Sequence, residues 1–401
     1  MVNESAKLML DNTTIIELTP SIGRGSFGVG NAALNLAASL NRAGADIYLG
    51  CVDTVDEAQE ACEQSGFPSE RVVRGRLLGH PTLRFSPLLI RQLLNLPVRR
   101  KVLVHSHGLW TYMSRIAMKI REHHRCPLVV SPHGSLEPWA LRISPRKKLI
   151  ASLLYEHKNL STASCIWALS EQEKQSARDY GLDGRIDVIA NGANRASLCS
   201  EEEVKAFRGK YGIQGDSRIL LFLSRITPVK GLPILLRAFA ENLRRQWGWT
   251  LVIAGSDEGN HIEEVRQLVE LLGIGLSVRM IGPVFGREKA CAFSAASLFS
   301  LPSYHEGLPI AVLEAMEYGL PVIITDTWTL PCPVDKQFGW RVAAEQSALQ
   351  NALFEAMTAP ASRLEEIGAG AQSLARRYFT WDAVAQKASE LYASLLSGIE
   401  G

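Results

Sequence analysis

No stretch of this chain stays apolar for the roughly 18 residues needed to cross a bilayer. The first residues, Met1 to Asp11, are polar, so no secretory leader is expected there. Cysteine supplies no framework. The seven (Cys51, Cys62, Cys126, Cys165, Cys199, Cys291, Cys332) are scattered, none has C-x-x-C spacing, and an odd number does not suit a full disulfide set. A reducing cytoplasm is the expected compartment. A dominant charge is missing too. The 43 Lys and Arg nearly balance the 41 Asp and Glu, and a net +2 gives no argument for nucleic-acid binding. Short repeats and low-complexity tracts are absent.

What is present is an alternation of short apolar runs with longer helical segments. With 401 residues, 46% of them hydrophobic, the chain has room for two domains. Strand-like runs fall at 14–18, 47–49, 102–104, 128–130, 165–168 and 186–189, then at 219–223, 250–253, 278–281, 298–301 and 321–324. Runs apolar on both faces and joined by helices predict parallel sheets covered on both sides. Two such series predict two doubly wound α/β domains. The join is expected in the polar, charged stretch Arg195 to Asp216.

In open α/β sheets ligands bind outside the carboxyl ends of the strands, so residues just after strands carry the functional argument. The run Pro302-Ser303-Tyr304-His305-Glu306-Gly307-Leu308-Pro309 continues to Glu314. Glu306 falls on a strand-to-helix loop, and Glu314 about two turns along a helix expected over 308–318. A helix start offers free N–H groups and partial positive charge, which suits a phosphate. An acid on each side suits sugar hydroxyls, so the pattern suggests a nucleotide-sugar site. Arg225 and Lys230 flank the loop after 219–223, and their planar fork and point charge fit a diphosphate better than a solvated pair of charges. No D-x-D is present to hold a divalent metal there. Arg225, Lys230 and the helix start would take that role, and no metal is expected.

Weaker signals surround these. Gly255 and Val284 follow strands; one permits close approach and the other offers backbone to a nucleobase edge, though both also read as plain loops. The glycine-rich turn through Gly28 precedes a helix, but its spacing is not a dinucleotide fingerprint and a flexible turn fits equally well. His133, beside Gly134 at a strand end, suits a hydrogen bond to a sugar or a proton transfer, against a satisfied loop histidine. His107 and Trp110 end the preceding strand and suit an acceptor pocket, although packing explains Trp110 as well. His123 and His124 read as a solvated face without metal-ligand spacing.

With these residues placed, the chain resembles the family 4 (group 1) glycosyltransferases, retaining enzymes of the GT-B fold, over nearly its whole length. The marks are Glu306 and Glu314 at family spacing, Arg225 with Lys230-Gly231, and His133-Gly134. The resemblance implies two Rossmann-like domains facing across a cleft: 1–200 for the acceptor, 201–378 for the nucleotide-sugar, and 379–401 as a terminal helix crossing back. It implies that Arg225 and Lys230 hold the donor diphosphate, Glu314 the ribose and Glu306 the donor sugar. Gly307, Leu308 and Pro309 would shape that pocket, Gly255 and Val284 complete it, and Gly28 approach the phosphates from the first domain. His133 would touch the sugar near the reacting carbon, with His107, Trp110 and Glu137 on the acceptor side. No cofactor is implied; the donor would be a UDP- or GDP-sugar. The runs His105–Trp110 and Pro132–Leu141 look like the subgroup that builds bacterial surface polysaccharides, exopolysaccharide or lipopolysaccharide. Phe27-Gly28, Ala193-Asn194 and Pro331-Cys332-Pro333 depart from the usual pattern, and none of them removes a charged group.

The expected activity is retaining transfer of a sugar from a nucleotide-diphosphate donor to a saccharide or lipid-linked saccharide, by domain closure over the donor. A nucleotide-sugar epimerase on the same fold and a non-catalytic nucleotide-sugar-binding subunit are the alternatives. Two basic clusters, Arg99-Arg100-Lys101 and Arg142 with Arg146-Lys147-Lys148, raise peripheral contact with the inner membrane. In the second, Leu141, Ile143, Leu149 and Ile150 are interleaved; a solvated helix face with a core stripe is the preferred reading there.

Overall fold

Parallel pairing organises both halves of the chain. The computed structural model describes residues 10–23, 27–245, 248–306, 308–327 and 337–398. In the first half β1 (Thr13–Leu18), β2 (Asp46–Cys51), β3 (Val72–Arg74), β4 (Lys101–His107), β5 (Leu128–Ser131), β6 (Cys165–Ala168) and β7 (Ile186–Val188) form one sheet, ordered β3-β2-β1-β4-β5-β6-β7. In the second, β8 (Arg218–Leu223), β9 (Trp249–Ala254), β10 (Val278–Gly282), β11 (Leu298–Leu301), β12 (Val322–Thr325) and β13 (Gly339–Val342) form another, ordered β10-β9-β8-β11-β12-β13. Every pairing is parallel. The central strands are buried on both faces, β1 at all six positions. That is why they read as unbroken apolar runs.

Each half also has an edge strand that the apolar-run criterion passes over. Val72-Val73-Arg74 is only half-buried along β3, and β13 exposes Arg341. These two edge strands carry no continuous apolar run, whereas the edge strands β7 and β10 overlap the strand-like runs 186–189 and 278–281.

The chain divides into two units, residues 1–192 with 381–401, and residues 193–380. The division lies just ahead of the Arg195–Asp216 stretch, because Ala193 is already tied into the second unit. Its N–H donates to Phe379 O at 2.6 Å, and Ala193 pairs with Thr380 in a parallel bridge. The last helix, Trp381–Ser397, belongs to the first unit. Trp381, Val384, Ala385, Ala388, Leu391 and Tyr392 form its buried stripe at helical spacing. Asp382 in its first turn accepts from Ser39 Oγ and Arg42 on the helix Phe27–Arg42.

The strand orders fix where a ligand belongs. In both sheets the direction of winding reverses once, between β1 and β4 and between β8 and β11. The carboxyl ends of those four strands open the crevices that open α/β sheets use. A cavity of about 560 Å³ lined by Arg121, Cys126, Pro127 and Ser164 lies at the amino ends of β5 and β6 instead. The basic cluster at Arg99 opens β4 at its amino end, where Arg99 pairs with Asp46 and Asp11.

Candidate active site

In the second unit the reversal point holds the residues singled out by sequence. Leu223 ends β8; Arg225 follows, then the 3-10 turn Pro228–Lys230 and the helix Leu232–Leu243. Gly231 joins turn to helix at φ 69°, where an added Cβ would lie 2.0 Å from Pro302 O on the β11 loop. Only glycine allows the two loops to approach so closely. The approach brings Lys230 Nζ to Glu306 Oε1 at 2.6 Å, with both side chains about nine-tenths buried. Ser303 Oγ donates to the same oxygen at 2.6 Å, and Ser303 O accepts from Thr325 and Thr327 at the end of β12. Arg225 grips both oxygens of Glu258, at 3.0 and 2.8 Å, in an exposed pair.

Both cations of the loop thus rest on acids. A diphosphate binding here must take them over, and what it gains is the difference between the two sets of contacts. Gly255 ends β9 where an added Cβ would lie 1.7 Å from Ser224 O, so this glycine lets the backbone beside Arg225 close up. Val284 and Leu308 are buried, and Pro309 caps the helix Ile310–Glu317 with φ −75°. The helix starts two residues later than the apolar pattern suggests because Pro309 ends the loop. Glu314 accepts from Lys289 Nζ at 2.6 Å, a partner on the helix Gly286–Ala295. Gly307 and the Pro331-Cys332-Pro333 run lie outside the described residues.

In the first unit Gly28 is exposed in the first turn of the helix Phe27–Arg42. His133 follows β5 with φ 51°, unusual for a side-chain-bearing residue, and Gly134 has φ 76°. Buried Glu173 pins this turn by accepting from Gly134 N–H at 2.5 Å and Leu169 N–H at 2.6 Å. Burial pushes the Glu173 carboxyl up to about 7, the two N–H bonds opposing it. His133 Nε2 lies 3.0 Å from His107 Nδ1, and His107 Nε2 lies 2.5 Å from Glu17 Oε2. Trp110 has φ 66°; its N–H donates to buried Glu156 and its ring stands edge-on to Tyr180. Glu137 turns inward, where Ser176 Oγ donates to it at 2.8 Å.

Sequence reasoning passed over Glu17, Glu173, Glu258 and Lys289. Only Glu17 left a local signal, a lone acid inside an apolar strand. Glu17, His105 and His107 also form, among the described residues, a group whose ligand atoms all lie within 4.8 Å of one another. Each ring nitrogen of these histidines already has a partner: Tyr392 and Ser131 for His105, Glu17 and His133 for His107. A metal would have to displace hydrogen bonds that satisfy the whole group, so a hydrogen-bonded network accounts for it best.

Comparison with known proteins covers both units. The family described as Glycosyl transferases group 1 matches residues 203–372, and the Glycosyl transferase 4-like domain matches residues 27–192. The D-inositol 3-phosphate glycosyltransferase of Streptomyces bingchenggensis (strain BCW-1) is 29% identical over 308 residues, which cover 74% of this chain and 67% of that protein. Anabaena HepE, solved in complex with UDP and glucose, has a TM-score of 0.74 at 19% identity, covering 95% of this chain and 100% of the other. The sucrose-phosphate synthase of Thermosynechococcus elongatus has a TM-score of 0.71 at 20% identity, covering 96% and 100%. At these identities the two structures speak to fold alone. With both units matched in order and the parallel sheets in place, the chain belongs to the group 1, family 4 glycosyltransferases and has their GT-B fold.

Proposed function

We propose that the chain transfers a sugar, with retained anomeric configuration and without a metal, from a nucleotide-diphosphate sugar to a saccharide or lipid-linked saccharide acceptor of bacterial surface polysaccharide. The observation that carries this reading is the Lys230–Glu306 pair beside Arg225 at the β8/β11 reversal. Charge builds on the leaving diphosphate in the transition state, and preorganised cations lower that barrier. In this reading Arg225 and Lys230 turn from their acids to the diphosphate, and Glu306, released, accepts hydroxyls of the donor sugar. Glu314 holds the ribose, Leu308 and Pro309 shape the pocket, Gly255 and Val284 line the nucleotide, and Gly28 approaches the phosphates. His133 meets the sugar, and the surroundings of His107 and Trp110 take the acceptor.

A thermal-shift screen against UDP-, GDP- and ADP-sugars tests the donor, since ligand at 100 times its dissociation constant adds about 2.7 kcal/mol of stability. Turnover with and without a chelator, and the anomeric configuration of the product by NMR, test the rest. An inverted product or loss of activity with the chelator would overturn those parts.

A second acceptor reading rests on the Streptomyces relative, whose name specifies D-inositol 3-phosphate. Offering D-inositol 3-phosphate and lipid-linked saccharide extract side by side separates the two. Product from donor alone, with an epimerised sugar, would instead indicate an epimerase.

We also propose peripheral contact with an anionic membrane through residues 139–154. The preferred sequence reading, a core stripe between Leu141 and Ile150, is corrected here: Ile143, Leu149 and Ile150 are exposed, as are Leu153 (79%) and Leu154 (68%). Among the described residues no helix is long and apolar enough to cross a membrane.

A further inference from the structure

The reversal point of the first sheet carries a chain of polar groups, and the proposed function leaves its buried members Glu17, His105 and Tyr392 without a role. Glu17 and His105 stand opposite each other in the β1/β4 register, and His107 comes two residues later. Side chains two apart on a strand share a face, so both imidazoles lie on one side of β4. All three residues are buried, as is Tyr392. Glu17 Oε2 is 2.5 Å from His107 Nε2, and Glu17 Oε1 is 3.2 Å from the Tyr392 hydroxyl. The same hydroxyl is 2.7 Å from His105 Nδ1, and His105 Nε2 is 2.7 Å from Ser131 Oγ. His107 Nδ1 is 3.0 Å from His133 Nε2.

Counting protons gives each bond a direction. An ionised carboxylate only accepts, so His107 carries its proton on Nε2 and Tyr392 donates to Glu17. The one Tyr392 proton is thereby used, so the hydroxyl accepts from His105 Nδ1–H, and His105 Nε2 accepts from Ser131. A neutral His107 protonated at Nε2 has only a lone pair at Nδ1. The 3.0 Å contact must then be filled by a proton on His133 Nε2. His133 Nδ1 is left unprotonated and has no hydrogen-bond partner among the described residues.

The environment of Glu17, His105 and His133 is consistent with the states given to those three. Burial opposes the charge on Glu17, but the neighbouring His105 and His107 and their hydrogen bonds outweigh it and bring the carboxyl down to about 2. Burial takes His105 down to about 4 and holds His133 well below the ordinary histidine range. In both rings the neighbouring imidazoles act in the same direction and Glu17 against it.

We propose that Glu17 and His107 are positioning residues that fix His133 as the Nε2-protonated tautomer, so that Nδ1 is presented as an acceptor to a hydroxyl of the bound sugar. The last clause rests on the reading of His133 as a sugar-facing residue; the tautomer does not. The carboxylate–imidazole–imidazole chain also orients the His133 ring in its left-handed turn, because a ring flip would break the Nε2 contact to His107.

The test is nitrogen NMR on the whole protein labelled with ¹⁵N-histidine, with the His133 signals identified by their loss in His133→Ala. The expected spectrum shows His133 protonated at Nε2 and bare at Nδ1 in the resting wild type, and a mixture of tautomers in His107→Phe. The wild-type measurement needs no variant to fold. In turnover, Glu17→Gln and His107→Phe are expected to lower kcat about tenfold with the donor KM unchanged, and to add nothing further in a His133→Ala background. A His133 ring protonated at Nδ1, a metal ion bound in one equivalent by this group, or fully additive losses would each overturn the proposal. If the wild type turns over no donor at all, the functional reading fails while the NMR result still decides the tautomer chain.

Discussion

Lys230 Nζ donates to Glu306 Oε1 at 2.6 Å across the β8/β11 reversal, and the two side chains are only 10% and 8% exposed. The pair is a buried structural element, and in the proposed function it is the resting form of the diphosphate-binding cation. Lys230→Ala is expected to lower turnover by about 10²–10³, the scale of one lost transition-state donor. It also strands a buried carboxylate, at a cost on the order of 3 kcal/mol. Adding Glu306→Gln should recover most of that stability and none of the turnover. Urea midpoints and kcat on the single and double variants check this; a double variant with restored turnover would remove Lys230 from the donor site.

Glu314 has a partner that sequence gave no reason to choose. Lys289 Nζ reaches its Oε1 at 2.6 Å from the neighbouring helix, and the carboxylate is 12% exposed. If Glu314 receives the ribose, Lys289 sets where its free oxygen points. Lys289→Met should raise the donor KM several-fold with kcat within a factor of two, because a lost positioning contact weakens ground-state and transition-state binding alike. Steady-state kinetics with varied donor decide it. A fall in kcat at constant KM would place Lys289 in the chemistry instead.

The readable parts of this protein are those where one physical cause dominates a local stretch. Leu298–Leu301 is a strand because it is buried on both faces, and it was legible to the residue. Glu306, Arg225 and Lys230 were legible as strand-end residues, since topology alone puts such loops at the ligand crevice. What stayed hidden is long-range pairing. Glu258 lies 33 residues from Arg225, Lys289 25 from Glu314, and Glu17 90 from His107. No local pattern encodes those partners. The sequence reading placed Arg225 and Lys230 on a strand-end loop with no acid named for either, and the structure finds each held by one. Leu149 and Ile150 failed differently: helical spacing predicts a stripe, but not which side of the stripe the core is on.

Glu173 makes stability depend on pH in an unusual direction. Its carboxyl, fully buried, titrates at about 7 in the folded protein against an ordinary 4.5. An acid whose pKa rises on folding binds its proton more tightly when folded. Its contribution is complete below pH 4.5 and is lost as pH rises to about 7, on the order of 3 kcal/mol over that window. His105, taken down to about 4, works the other way, losing stability as pH falls from 6.5. The wild-type profile mixes these with other shifted groups such as Glu17 and His133, so the informative quantity is wild type minus Glu173→Gln. That difference should shift against wild type between pH 4.5 and 7 and be flat above. A flat difference throughout would mean that the Gly134 and Leu169 N–H bonds offset burial completely.

The exposed apolar run between Trp139 and Leu154 has a structural cause. A π-helical turn spans Ser152–Glu156. Inside it Glu156 is buried and accepts from Trp110 N–H, Ser114 and Asn159, which fixes the inner side of the turn. Leu153 and Leu154, on the outer side, are then forced into solvent beside Ile150 and Leu149. Arg142, Arg146 and Lys147 are exposed in the same segment, whereas Lys148 turns inward to Ala140 O and the Trp110 ring. These three exposed cations are worth about 1 kcal/mol each at an anionic surface. Each buried methylene adds about 0.8 kcal/mol. About four buried methylenes already match the three cations, so binding to anionic vesicles should weaken with salt without vanishing, and neutral vesicles should bind less well. Leu153→Asp with Leu154→Asp should abolish vesicle binding while leaving the melting temperature nearly unchanged, because both side chains are already in water. Vesicle flotation of the wild type and the double variant at low and high salt measures this. Undiminished binding by the double variant would remove this segment from membrane contact.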